Sequence, residues 1–298
     1  NGIEGIQTIT ILPPVTTICS NAFSNSKFIT QITIPSTVTK IGSYAFSNSS
    51  SLVQVIFPPS VTVIEDHTFY NCSSLVQVNL PPFLKSIGSS AFAGCSSLTN
   101  IMIPHLVHLI QMYAFARCTS LIEIVIPKSV TQIQEHTFSN CSSLKSVILS
   151  SKLKSIGTSA FEKCTSLKEI TIPQSVTSIG DLCFHYCSSL EKVNMPTNIN
   201  WIGSKIFCMC SSLPDEYVSS VYNNSKSENE SLNFSLSLRF IRSPIILDII
   251  KKLDIKVCQF NSEEDIIWCD SMFTIYKYTH FDPSKHINKI PGICESCR

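Results

Sequence analysis

Phenylalanine recurs every 23 residues along most of this chain, at Phe23, Phe46, Phe69, Phe92, Phe115, Phe138, Phe161, Phe184 and Phe207, with no gap in the register. A period of that length is one supersecondary unit repeated, and it commits the chain to stacking. One unit holds too little apolar surface to fold alone, so each must bury its face against its neighbours. The other positions keep the same phase. Ser26, Ser49, Cys72, Cys95, Cys118, Cys141, Cys164, Cys187 and Cys210 stand three residues after the Phe, and an aliphatic residue stands six after it, from Ile29 and Leu52 to Leu190 and Leu213. Ile or Val follows nine after (Ile32, Val55, Ile170), another apolar residue eleven after (Ile34, Phe57, Met195), and usually Pro twelve after (Pro35, Pro58, Pro127, Pro173). Ile recurs eighteen after, from Ile41 and Ile64 to Ile179 and Ile202.

The segment Leu167-x-x-Ile170-x-Ile172 has the L-x-x-L-x-L spelling of a leucine-rich-repeat strand, whose last apolar positions alternate with exposed ones. The Pro that follows has no N–H for a sheet ladder and ends the strand. Runs such as Cys141-Ser142-Ser143-Leu144 are expected to form a return corner, where short hydroxyl side chains bond their own backbone. Nine strands at a spacing of roughly 4.8 Å would build a parallel sheet about 38 Å long. The expected fold is a leucine-rich-repeat solenoid, β-rich, with a parallel sheet on a concave face and an irregular or short-helical convex side. The seven Cys from Cys72 to Cys210 fall on one inward position of successive coils and read as a ladder of small, unpaired, buried thiols. Stacked side chains that point the same way fit the torsion of a disulfide poorly.

The unit from Ile172 to Leu190, Ile-Pro-Gln-Ser-Val-Thr-Ser-Ile-Gly-Asp-Leu-Cys-Phe-His-Tyr-Cys-Ser-Ser-Leu, resembles the BspA-like class of leucine-rich repeat. The resemblance implies a surface-antigen type of protein, of a kind found in host-associated bacteria and expanded in parasitic protists, that adheres to host matrix or cells. It implies no catalysis. Departures from the pattern include Ser26 and Ser49 in place of Cys, Ser150 in place of Pro, and Glu65, Gln111 and Gln134 where Gly42, Gly88 and Gly157 stand in other units; they place individual turns in question.

The repeats are expected to occupy residues 1–213, followed by a Ser- and Asn-rich linker at 214–237 and a small C-terminal segment of no recognised family, mostly helical or irregular, at 238–298. From Ser219 to Ser235 there are few apolar residues to pack. Ser243-Pro244 then reads as a helix cap and first helical residue ahead of Ile246, Ile249, Ile250 and Leu253, and a second helix is expected from about Ser262 to Phe273. Cys258, Cys269, Cys294 and Cys297 could supply thiolates for zinc, but their spacing is a poor match to a structural zinc site. No metal or cofactor is expected.

The net charge is +1, divided as +3 up to Leu213 and −2 beyond it, so neither half is a polybasic nucleic-acid binder. The apolar run from Pro244 to Ile250 is far shorter than the roughly 20 residues that cross a bilayer. The sequence opens on Asn1 within a repeat, which leaves room for an export signal ahead of it. No nucleophile elbow, phosphate loop, dinucleotide fingerprint or H-E-x-x-H is present, so no enzyme is expected. His67 and His136 share one repeat position two before the Phe and read as convex-surface residues. Asn48, Asn71, Asn140, Asn223, Asn229 and Asn233 head Asn-x-Ser sequons, which a chain rich in Ser and Asn also forms by chance.

The outward strand positions carry the functional expectation. Eight after the Phe they are polar, as at Gln54, Gln77, Asn100, Glu123 and Glu169; ten after, Asn79 alternates with the aliphatic Ile56, Met102, Val125 and Ile148. With Val53, Val76 and Ile122 one row over, this is more aliphatic surface than solvation favours. β propensity alone would also place Ile and Val there. The expected function is adhesion or recognition at a cell surface, with a host or matrix protein held on the concave sheet. An intracellular scaffold using the same face is the alternative, and an enzyme or zinc module in 236–298 a third.

Overall fold

The computed structural model describes residues 7–214 together with Tyr217, Val218 and Val221. The described residues fall within one compact unit. The helices read from 243 onward and the four C-terminal Cys lie outside the described residues.

Each 23-residue coil contributes two short strands. The first row comprises Thr8–Thr10, Gln31–Thr33, Gln54–Ile56, Gln77–Asn79, Asn100–Ile101, Glu123–Val125, Ser146–Ile148, Glu169–Thr171 and Lys192–Asn194. Pairing is parallel and without slip, each residue facing its equivalent 23 positions on, as in Gln31↔Gln54, Ile32↔Val55 and Thr33↔Ile56. A second row of two-residue strands, not expected from the sequence, runs along the return side at Thr17–Ile18, Lys40–Ile41, Val63–Ile64 and onward to Trp201–Ile202. The return side of residues 7–214 is therefore turns and strand, with no helix. Its brevity has a plain cause: only the Ile eighteen after the Phe, such as Ile41 and Ile64, points inward there, and Gly or a polar residue follows it.

The core is a set of columns running along the stack. The Phe rings from Phe23 to Phe207 stack nearly parallel, with centroids 5.2–5.7 Å apart. The rings from Phe46 to Phe184 are fully buried, whereas Phe23, with no described Phe ring on its other face, is only half-buried. A column fifteen after the Phe, including Val38, Val61, Leu84 and Val107, is equally buried and completes the core opposite the Leu row. Tyr217, Val218 and Val221 pack against the same core, and the Tyr217 hydroxyl donates to the Val193 carbonyl at 2.5 Å. Apolar anchoring thus continues past Leu213 into the segment whose composition reads as linker.

The Phe side is held by a third ladder. N–H groups two before, at and two after each Phe from Phe23 to Phe184 donate to carbonyls of the next coil, for example Tyr44 to Asp66 (3.0 Å), Phe46 to Thr68 (2.9 Å) and Asn48 to Tyr70 (2.6 Å). The geometry requires a left-handed backbone on both flanks of the Phe in every coil, as at Tyr44 (φ 60°), Asn48 (φ 58°), His67 (φ 55°) and Asn71 (φ 55°). Asn tolerates that region best among side chains other than Gly, which accounts for Asn21, Asn25, Asn48, Asn71 and Asn140 there.

The glycines four before the Phe do something else. A Cβ on Gly180 would lie 2.4 Å from the Thr158 nitrogen of the preceding coil, so this column is a place of close backbone approach rather than a turn requiring a positive φ. The Gly180 N–H donates to the Ile156 carbonyl at 2.8 Å, and Gln111 makes the equivalent bond to Ile87 at 3.0 Å. The second row is interrupted after Lys40–Ile41 and after Leu109–Ile110, just ahead of the coils that carry Glu65 and Gln134 at this position. In those two coils a buried Thr68 or Thr137 hydroxyl donates back to the carbonyl of Glu65 or Gln134.

Candidate partner-binding surface

In a first-row strand the middle residue points into the core and its neighbours point out. Glu123 and Val125 are exposed around a buried Ile124, and Ser146 and Ile148 around Val147. All the residues read from the sequence as a contact surface lie on this one face. Gln77, Asn79, Asn100, Glu123 and Glu169 are exposed and Gln54 is half-buried. The aliphatic members are open to solvent: Ile56 at 43%, Met102 at 85%, Val125 at 52% and Ile148 at 57%, with Val53, Val76 and Ile122 exposed beside them.

Strict register turns these residues into rows. Gln31, Gln54, Gln77 and Asn100 form one polar file across four coils, and Val125 lies beside Ile148. Toward the C-terminal coils the face becomes charged and polar. Glu169 pairs in register with Lys192 there, and Asn194 Nδ2 donates to Thr171 Oγ1 at 2.9 Å.

The histidines sit elsewhere. The His67 ring stacks on Tyr44 at 4.5 Å and His136 on Tyr113 at 4.5 Å, both half-buried beside the Phe column. His185 Nδ1 lies 3.5 Å from Glu162 Oε1. Among the described residues no three His, Cys, Asp or Glu side chains are placed to hold a metal, and no helix is long and apolar enough to cross a membrane.

The seven column cysteines are buried free thiols, with a role beyond filling space. Each Sγ donates to the carbonyl of the preceding coil's Phe, as Cys95 does to Phe69 and Cys118 to Phe92, both at 3.2 Å. Ser49 makes the same bond to Phe23 at 2.7 Å, which is why Ser and Cys interchange in this column. Burial pushes the Cys72 and Cys141 thiols up to about 12 and raises Cys95, Cys118, Cys164 and Cys187 well above the usual range. These groups are not nucleophiles at neutral pH.

A second set of exposed apolar side chains escaped the sequence reading: Phe83, Leu106 and Leu109 on the return side. A signal was present. Fourteen after the Phe, Thr37, Ser60, Ser129 and Ser175 fill half of the coils, and Phe83 and Leu106 stand between Ser60 and Ser129 in that column.

Coils of fixed length, a parallel first row that breaks only between Asn100–Ile101 and Glu123–Val125 and between Ser146–Ile148 and Glu169–Thr171, and an L-x-x-L-x-L core define a leucine-rich-repeat solenoid. The family of the BspA type leucine rich repeat region matches residues 2–122 and 108–238, in six copies, and the chain belongs to that family. Solved structures of similar proteins include a leucine-rich repeat protein from Bacteroides ovatus (26% identity, 74% of this chain and 90% of that one, TM-score 0.30). The T. pallidum leucine rich repeat protein is 23% identical over 74% of this chain and 84% of its own, with a TM-score of 0.38. The pneumococcal vaccine antigen PcpA is 24% identical over 70% of each chain, with a TM-score of 0.44. A comparison with curated protein sequences finds no match.

Proposed function

We propose that this protein is a non-enzymatic protein-binding module of a cell surface, which holds a host or matrix protein against its first-row sheet face. Family membership supports a protein-interaction scaffold. The observation that carries the choice of face is the exposure of Ile56, Met102, Val125 and Ile148 on strands whose inward positions already fill the core. These side chains have no packing task, and covering them would contribute roughly 25 cal/mol per Å² of apolar area removed from water.

The test compares wild type with Met102→Lys/Val125→Glu in binding to immobilised extracellular-matrix extract and to intact host cells, with melts as the folding control. Both side chains point outward, so the double variant should melt like wild type and bind at least about tenfold more weakly, a loss of about 1.4 kcal/mol. Wild-type binding by this variant, with binding abolished by substitutions around His67, His136 and His185, would move the contact surface to the Phe side. Surface biotinylation of the producing cell tests the location: labelling only after lysis overturns it.

A further inference from the structure

We infer that the return side of the solenoid is a second docking surface, for an acidic polypeptide segment that also carries apolar side chains. Three observations lead there. The first is charge. No Asp or Glu occurs in any return segment, twelve to seventeen after each Phe, from 12–17 through 35–40 to 196–201, whereas exposed Lys85, Lys128, Lys152 and Lys154 and exposed His105 and His108 lie in that band. The carboxylates of the repeats stand on other sides, at Glu65, Asp66, Glu135, Glu162 and Asp181 near the Phe column and at Glu123, Glu169 and Glu191 at the first row. A protein face lined with one sign of charge attracts the opposite sign and repels its own.

The second is a column that changes use. Fourteen after the Phe, the hydroxyl of Thr37, Ser60, Ser129 or Ser175 reaches back to the preceding coil, as Ser60 Oγ does to the Ser36 and Val38 carbonyls at 3.0 and 2.6 Å and Ser175 Oγ to Leu153 at 2.6 Å. Lys152 and Asn198 also lack this hydroxyl, but only in two adjacent coils does an apolar side chain take its place: Phe83, 57% exposed, and Leu106, 42% exposed. Register places them side by side, since Ser86 pairs with Leu109 three residues further on in each coil. Leu109, 36% exposed, lies in the same band. These coils lack a bond that their neighbours make and expose apolar surface, so folding does not account for either change.

The third is shape. Every coil has the same length, so no loop insertion carries these side chains away from the coil surface. An apolar wedge entering a bilayer needs side chains that reach about 5–10 Å into the headgroup region. Apolar side chains held on the coil surface within a cationic band fit a polypeptide laid along the coils.

The experiment uses the full chain and a fluorescein-labelled peptide of alternating Glu and Leu, with the Lys-Leu peptide and phosphatidylserine vesicles as comparators. Wild type should bind the Glu-Leu peptide, more weakly as salt rises, and leave the other two unbound. Lys128→Glu/Lys152→Glu should weaken binding by roughly tenfold or more through charge reversal. Phe83→Ser/Leu106→Ser should weaken it comparably while melting no lower than wild type, because each new Ser can restore the stitch. Met102→Lys/Val125→Glu, on the first-row face, should leave it unchanged, which separates this surface from the one proposed above. Equal binding of the two peptides, no binding of either, or vesicle binding lost in the same variants overturns the proposal, the last in favour of a lipid surface.

Discussion

Cys118 is buried among apolar side chains, yet its Sγ donates to the Phe92 carbonyl across the coil interface. Because Ser49 fills the same place with the same bond, Cys118→Ser should cost less than Cys118→Ala, which removes one of the two hydrogen bonds to the Phe92 carbonyl and leaves only that from the Cys95 N–H, at about 0.5–1.5 kcal/mol. Urea melts of the two variants test this, and equal losses would reduce the thiol to a space-filler. The column also sets an alkaline limit. Burial raises the folded-state thiols above their ordinary value of 9.0, to about 12 at Cys72 and Cys141, so the folded chain holds these protons more tightly than the unfolded one. Their contribution is fully present below about pH 9 and falls as pH rises toward 12. Stability measured in that window should drop steeply and recover in part when column Cys are changed to Ser. The sequence showed that the position was inward and small, but not that it was a donor, because the acceptor belongs to another coil.

At the scale of the coil, each element is stabilised by its two neighbours, so position along the stack decides the effect of a substitution. Phe115, sandwiched between Phe92 and Phe138 at 5.5 and 5.6 Å, should lose about 3–5 kcal/mol on change to Ala. Phe23 stacks on Phe46 alone and is half-buried, so Phe23→Ala should lose clearly less in the same denaturant melt. Equal losses would mean that the first coil is covered from its other side. Gly180→Ala should push its coil away from Thr158 and cost about 1–3 kcal/mol, as overpacking does. A melt indistinguishable from wild type would show the coils opening there as the second row does ahead of Glu65 and Gln134. The sequence located the strand of each coil through L-x-x-L-x-L but not the second strand row. Two residues with a single inward Ile carry no alternation to read, and that strand exists only because the next coil pairs with it.

For the whole molecule, the first-row and return faces lie on different sides of the same coils, and their substitutions share no partners. Combining Met102→Lys/Val125→Glu with Lys128→Glu/Lys152→Glu should therefore give stability changes that add within about 0.3–0.5 kcal/mol. A larger discrepancy in the combined melt would show the two faces coupled through the coil. What the sequence determined by itself was the stack: a 23-residue phase held from Phe23 to Phe207 fixes coil length, inward columns and parallel register, because any slip would set Phe against a polar residue. It also determined which side chains leave the first-row strands outward, since alternation is a local property of a strand. What only the tertiary structure decided is everything made between coils. The thiol bonds to Phe carbonyls, the left-handed ladder flanking each Phe, the close approach at Gly180 and the adjacency of Phe83 and Leu106 all join residues about one coil apart. Period alone places such residues side by side, but the direction of a hydrogen bond and the exposure of a side chain depend on how closely the coils pack.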